Sequence, residues 1–194
     1  MSLQLFINGI SLGSVYALVA VGYCLVFSIL KFTNFAHGAM ITISAFIGYI
    51  CSIWFGLGLF GTLLCSIIGG AIVGIVGERI AFRKITVRGS STFYFFVSSL
   101  TWGTFLEQIV TIRVGSTFRS YPRFFESLVI RLGPDGQFAV STVDVFMLGS
   151  SLVGLVVLFV LLNKTKFGRA IRAASFDRDT TYLMGIDVYR VIQI

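Results

Sequence analysis

Two long runs without an acidic or basic side chain decide what this chain can become. Residues 1–30 contain no Asp, Glu, Lys or Arg, and neither do the 46 residues from Phe32 to Gly77. As one helix the second run reaches about 69 Å, more than twice the ~30 Å of a bilayer's hydrocarbon, so two spans must share it. The break falls at "WFGLGLFG", Trp54 to Gly61, where glycines favour a turn and tryptophan favours the membrane interface. The spans predicted on this basis are Leu5 to Leu30, about Phe35 to Ile53, and about Leu59 to Gly77. A fourth, Thr92 to Ile112, is interrupted by Ser98, Ser99, Thr101, Thr104 and Glu107, and a fifth runs from Val145 to Leu162. The first stretch lacks the basic start and short core of a cleavable signal peptide and is expected to remain a span. With 56% hydrophobic and only 12% charged residues, the expected fold class is all-α, a polytopic transmembrane helical bundle of about five spans forming one domain over 1–194.

Orientation follows from the distribution of basic residues. Lys31, Arg79, Arg83, Lys84, Arg88, Lys164, Lys166, Arg169, Arg172, Arg178 and Arg190 fall on one side of the predicted spans. Only Arg113, Arg119, Arg123 and Arg131 fall on the other. The richer side is expected to be cytoplasmic, placing the N-terminus outside and the C-terminus inside. Basic residues divided among span-capping loops, rather than gathered on one soluble face, need no nucleic acid to explain the net charge of +7. Cys24, Cys51 and Cys65 form no metal or redox motif and read as small apolar residues. "GLGLFG" is a literal G-x-G-x-x-G, but its flanks are spans rather than a βαβ unit, so it implies no dinucleotide. No P-loop motif occurs, so ATP-driven work would need a partner. No metal site or cofactor is expected.

Gly9 and Gly13, extended by Ala17, and Gly70 and Gly74, extended by Ala71 and Gly77, form small surfaces that let helices approach closely. "FTNFAHGAM", Phe32 to Met40, holds the chain's single histidine at the start of the second span. Thr33 or Asn34 is placed to cap that helix, with His37 one turn further in. Two readings stay open: a capped, interfacial helix start, or a polar mouth lining a solute path formed by Asn34, His37 and Gly38. On the outer side, "LVIRLGPDGQFAVS" reads as a hairpin about a Pro-Asp-Gly turn. The aromatic and arginine-rich loop around it is expected either to sit at the headgroups or to meet a partner. Glu107 lies near the outer edge, where hydrogen bonding between helices or snorkelling is favoured over solute binding.

The stretch "NGISLGSVYALVAVGYCLVFSILKFTNFAHGAM" resembles the N-terminal region of permease subunits of branched-chain amino acid ABC transporters. The resemblance resumes at "ERIAFRKI", "FLEQIVTIRVGS" and "FGRAIRAASFDRDTTYLMGIDVYRVI". It implies a permease in the bacterial cytoplasmic (inner) membrane, working with a sister permease, cytoplasmic ABC ATPase subunits and a periplasmic solute-binding protein, and surrounded by membrane lipid. Branched-chain amino acids are the implied solutes, with amides, urea or other small polar solutes in related permeases. It also implies that 163–187 is a cytoplasmic coupling loop docking on the ATPase through Phe167, Gly168, Arg169, Arg172, Asp177, Leu183 and Gly185. "FGRAIRAAS" suits a short surface helix, Gly185 a helix stop, and Asp187 the cap of a following helix. Asp179, Thr180 and Thr181 depart from the family pattern, and the threonines are expected to weaken the helix. The sequence ends at Ile194 as a helix begins, whereas the family continues through further spans; the expectations are completion by another chain or a truncated, non-transporting fragment. A secondary transporter or channel subunit is a weaker alternative, since intramembrane charge is sparse. An enzyme is not expected, because His37 has no acidic partner on its span.

Overall fold

The computed structural model describes residues 2–88, 91–115, 117, 119–122, 124, 129–132, 138–187 and 191. Apart from one two-stranded ribbon, every regular element among the described residues is helical. The chain divides into two compact units, one drawn from 1–29 and 125–191, the other chiefly from 30–124.

The first unit contains α1 (Ser2–Leu30), β1 (Val129–Leu132), β2 (Phe138–Ser141), α6 (Thr142–Lys164), α7 (Lys166–Phe176) and α8 (Arg178–Leu183). Three serine hydroxyls of α1 bond to its own carbonyls, Ser11 to Ile7 at 3.1 Å, Ser14 to Ser11 at 2.7 Å and Ser28 to Leu25 at 2.8 Å. An apolar helix can therefore carry these serines in lipid with their donors paired. Gly154 of α6 lies against Leu18 of α1, where an added Cβ would come within 3.1 Å. The expected hairpin is present as an antiparallel pair with Val129 opposite Ser141 and Leu132 opposite Phe138; the residues of its Pro-Asp-Gly turn lie outside those described. Ser141 ends the ribbon and starts α6 through a reciprocal capping box with Asp144, satisfying first-turn N–H groups that lipid cannot.

The second unit contains α2 (His37–Phe55), α3 (Leu59–Gly77), a π-helical turn (Glu78–Phe82), α4 (Arg83–Val87) and α5 (Thr92–Val114). The break between α2 and α3 falls where the glycines and Trp54 placed it. Gly56 closes α2 in the left-handed region at φ 60°, a conformation open to glycine at little cost. The hydroxyls of Ser52 and Thr62 both donate to the Leu57 carbonyl at 3.4 Å. The two helices then pack closely, with side chains of α2 seated on glycines of α3: a Cβ on Gly69 would sit 2.7 Å from Ile47, and one on Gly70 would sit 2.8 Å from Ser44 Oγ. Ser44 Oγ meanwhile donates to the Ser66 carbonyl at 2.7 Å. Gly70 thus performs the expected packing role. The other predicted small surface has no packing partner among the described residues: a Cβ on Gly9 or Gly13 would meet nothing within 4 Å.

α5 seats Trp102 and Leu106 on Ala36 and Ala39 to form the unit's buried core, with Gly103 admitting Ala36 so closely that a Cβ would lie 3.2 Å from its Cα. Ser98 Oγ donates 2.7 Å to the Ala81 carbonyl inside the π-turn. Such a turn loosens the normal backbone ladder, and the hydroxyl supplies a partner for the carbonyl it leaves. Among the described residues, four helical lengths are long and apolar enough to cross a membrane: Gln4–Leu30, His37–Phe55, Leu59–Val87 and Thr142–Lys164. α5 has the length, 23 residues, but is more polar than these four.

Candidate functional site

The stretch around His37 is built on aromatic anchors rather than on its polar residues. Lys31 takes a left-handed φ of 59°, turning the chain at the end of α1 at a cost of about 1–2 kcal/mol for an L-residue. Phe32 is then buried, stacked on Phe95 at 4.4 Å and tilted against Phe82 at 5.5 Å. Phe35 meets Phe96 edge-on at 5.1 Å. These contacts offset the strain and fix where α2 begins.

Asn34 is buried, and its Oδ1 accepts the Ala36 N–H at 3.0 Å while its carbonyl accepts the His37 N–H at 3.3 Å. This is an Asx-type turn ahead of the helix. It corrects the expectation of a cap on the helix itself, because α2 has Ala36 at its N-cap and no side-chain cap bond. Thr33 is exposed, His37 half-buried and Gly38 exposed with open space beside it. The structure therefore separates the three candidate path residues: Asn34 is directed inward to the backbone, and His37 and Gly38 open the first turn of α2. Midway along α2, Tyr121 donates to the Ala45 carbonyl at 2.5 Å and packs edge-on against Tyr49 at 5.6 Å. Burial pushes its phenol above the ordinary value.

The second candidate region, 163–187, forms a corner and two short helices. Thr165 caps α7, accepting the Gly168 N–H at 2.9 Å while donating to the Leu161 carbonyl at 2.5 Å. Gly168 is buried where any Cβ would overlap the carbonyls of Leu161 and Leu162. Arg172 reaches back to the Leu162 carbonyl and, at 3.5 Å, to Asn163 Oδ1, so a guanidinium satisfies the orphan end of α6. Gly168, Ile171 and Ala174 form the inner face of α7; Arg169, Arg172 and Phe176 are exposed. Phe167 is half-buried.

Asp177 then organises α8. Its Oδ1 accepts the Thr180 N–H at 3.3 Å, its Oδ2 the Thr180 hydroxyl at 2.5 Å, and its carbonyl the Thr181 hydroxyl at 2.5 Å. The two threonines expected to weaken the helix are instead tied to its start, which compensates for their modest propensity. Gly185, at φ 81°, closes α8, with Ile186 N–H returning to the Thr181 carbonyl at 3.3 Å. Phe176, Tyr182, Leu183 and Met184 project outward at 93%, 64%, 85% and 77% exposure, which makes this end apolar as well as basic. Asp187 has its carbonyl bonded by Val191 N–H at 3.2 Å; most of the helix it was expected to cap lies outside the described residues. Among the described residues no group of three or more His, Cys, Asp or Glu side chains is gathered to hold a metal.

Helices of this length and apolarity define a polytopic, all-α membrane protein. Residues 5–194 match the family described as branched-chain amino acid transport system, permease component, and the chain belongs to that family. It is 30% identical over 202 residues to the high-affinity branched-chain amino acid transport system permease protein LivH of Salmonella typhimurium, aligning 99% of this chain with 65% of the relative. It is 26% identical to the corresponding protein BraD of Pseudomonas aeruginosa, with 99% and 65% covered. A probable LivH of Methanocaldococcus jannaschii is 30% identical, covering 88% of this chain and 54% of that one. The chain thus spans about two-thirds or less of the length of these relatives. No solved structure matches it.

Proposed function

We propose that this chain is a membrane-spanning subunit of an ABC importer for branched-chain amino acids or related small polar solutes in a bacterial cytoplasmic membrane. Five spans, α5 among them, form one permease domain over 1–194 with the N-terminus outside. ATP is hydrolysed by separate cytoplasmic ABC ATPase subunits, a sister permease completes the path, and a periplasmic solute-binding protein delivers the solute. His37 and Gly38 open onto the inner mouth, and Asn34 holds that mouth in shape.

The observation that carries this reading is the corner at Gly168. α7 is fastened to the end of α6 by a glycine with no room for a side chain and by the Arg172 guanidinium. On α7, α8 and the residue after it, Phe176, Leu183 and Met184 are exposed, as is Arg169. A rigid corner ending in an apolar and basic knob can transmit the closure of a soluble partner to the membrane helix. This supports 163–187 as the coupling loop, with Phe167, Gly168, Arg169, Arg172, Asp177, Leu183 and Gly185 as its working residues. Affinity capture of the tagged chain from membranes, with mass spectrometry of what accompanies it, tests the assignment. ABC ATPases recovered with the intact chain and lost on scrambling 168–185 support it; equal recovery with the scrambled loop removes it.

A further inference from the structure

The polar residues that distinguish α5 from the other long helices are not scattered. Thr101, Thr104, Gln108 and Thr111 follow one another at helical spacing, with Glu107 beside Thr104 and Thr111, and all five are exposed. Ser99, Trp102, Gly103 and Leu106 on the opposite side are buried. From Thr101 to Thr111 this face runs for about 15 Å, half the hydrocarbon thickness. Phe105 and Ile112, at 53% and 78% exposure, flank it with apolar surface.

The hydroxyl donors on this face are already engaged. Thr101, Thr104 and Thr111 donate to the carbonyls of Val97, Leu100 and Glu107 at 2.9, 3.0 and 2.9 Å. What each hydroxyl offers outward is its oxygen, an acceptor, the Glu107 carboxylate offers only acceptors, and Gln108 adds an amide oxygen beside its own N–H donors. Lipid is a poor occupant, since a carboxylate facing hydrocarbon is costly and intramembrane acids face protein or a water-filled cavity. A packed helix gains little from hydroxyls that already have partners, and would bury the Glu107 charge. Water suits the face, and beside Glu107 and the threonine oxygens so does a solute group made of donors alone. A primary ammonium, with three N–H donors and a positive charge, is its complement.

We propose that this face of α5 lines the aqueous solute path, and that Glu107 receives the ammonium of the amino acid passing along it. The inference rests on the permease reading above and names the part of the solute that it recognises.

The test uses the complex captured with the full chain, with Cys24, Cys51 and Cys65 replaced by alanine and single cysteines placed at 101, 104, 108, 111, 105 or 112. A charged, membrane-impermeant thiol reagent is expected to modify positions 101, 104, 108 and 111 about tenfold or more faster than 105 and 112, which a lipid-soluble maleimide reaches instead. Leucine is expected to slow the charged reagent at 104 and 108. Equal rates at 104 and 105 would overturn the path assignment and place the face against protein. Glu107→Gln is expected to raise the half-saturating leucine concentration for uptake about tenfold, the loss of one charge-assisted bond, with Glu107→Asp recovering part of it. Unchanged uptake in Glu107→Gln would overturn the ammonium assignment. Capture of ATPases and uptake by the cysteine-free parent are measured in the same preparations, so failure of the permease reading shows as loss of both before any path residue is changed.

Discussion

Replacing Gly168 with alanine adds one methyl group at the place where the chain has least room for it. The new Cβ would overlap two carbonyl oxygens, those of Leu161 and Leu162, and neither belongs to a side chain that can rotate away. Overpacking of this kind costs about 1–3 kcal/mol, and a clash with backbone belongs at the upper end. Opening the corner to relieve it breaks the bond from Gly168 N–H to Thr165 Oγ, worth about 1 kcal/mol as a cap. The expected destabilisation is about 4 kcal/mol, close to a thousandfold in the ratio of closed to open corner. Amide hydrogen exchange of peptides covering 164–176 reads that ratio in the detergent-solubilised chain. Gly149→Ala is the control, since its Cβ meets nothing within 4 Å and alanine is the better helix former by about 1 kcal/mol. Exchange through α7 is expected to accelerate strongly in Gly168→Ala and not in Gly149→Ala. Matching profiles for the two variants would refute the reasoning that steric fit at Gly168 fixes the corner.

Ser98→Ala removes the hydroxyl that serves the Ala81 carbonyl in the π-turn and should cost about 1–3 kcal/mol, seen as a lower thermal midpoint, whereas Thr101→Ala, which only loses a bond within its own helix, should shift it less. Asp177→Ala removes the cap of α8 at about 1 kcal/mol and is expected to speed exchange at 178–183 without affecting α5. Trp102 Nε1 is buried without a hydrogen-bond partner among the described residues, so Trp102→Phe should be tolerated better than Leu106→Ala by thermal unfolding, because it also removes an unsatisfied donor. Burial raises the Tyr121 phenol above its ordinary 10.0; its contribution is complete below the unfolded value and lost as pH rises through the folded one, so the alkaline loss of stability should be smaller in Tyr121→Phe.

Much of the helical layout was legible because lipid imposes a simple rule. The charge-free runs, Trp54 and the glycines placed the α2–α3 break and the start of α3 at Leu59, and the third expected span coincides with α3, Leu59–Gly77. Gly185 announced the end of α8 by the same logic of the left-handed turn. The loop leading into α2 was less legible. Thr33 and Asn34 suggest helix caps, whereas Phe32, Phe35, Phe82, Phe95 and Phe96 hold this loop; aromatic pairing joins positions 50 to about 60 residues apart and leaves no local pattern. Propensity alone makes the threonines of α8 weak helix formers, and only the proximity of Asp177 shows them bound. Ser141 and Asp144, three residues apart before an apolar run, carried a capping-box signal that a search for spans passes over. The shape of α5 was half visible: its polar residues interrupted the hydrophobic run, but their gathering on one face needed the opposite face to be seen buried.

The most direct test of the account is ATP-dependent uptake of isotopically labelled leucine, isoleucine and valine into proteoliposomes holding the complex captured with this chain. Uptake that requires ATP and the solute-binding protein, and that falls when the corner is broken by Gly168→Ala although the ATPase remains assembled, is the predicted result. Uptake that proceeds without ATP, or is indifferent to the corner, would contradict it.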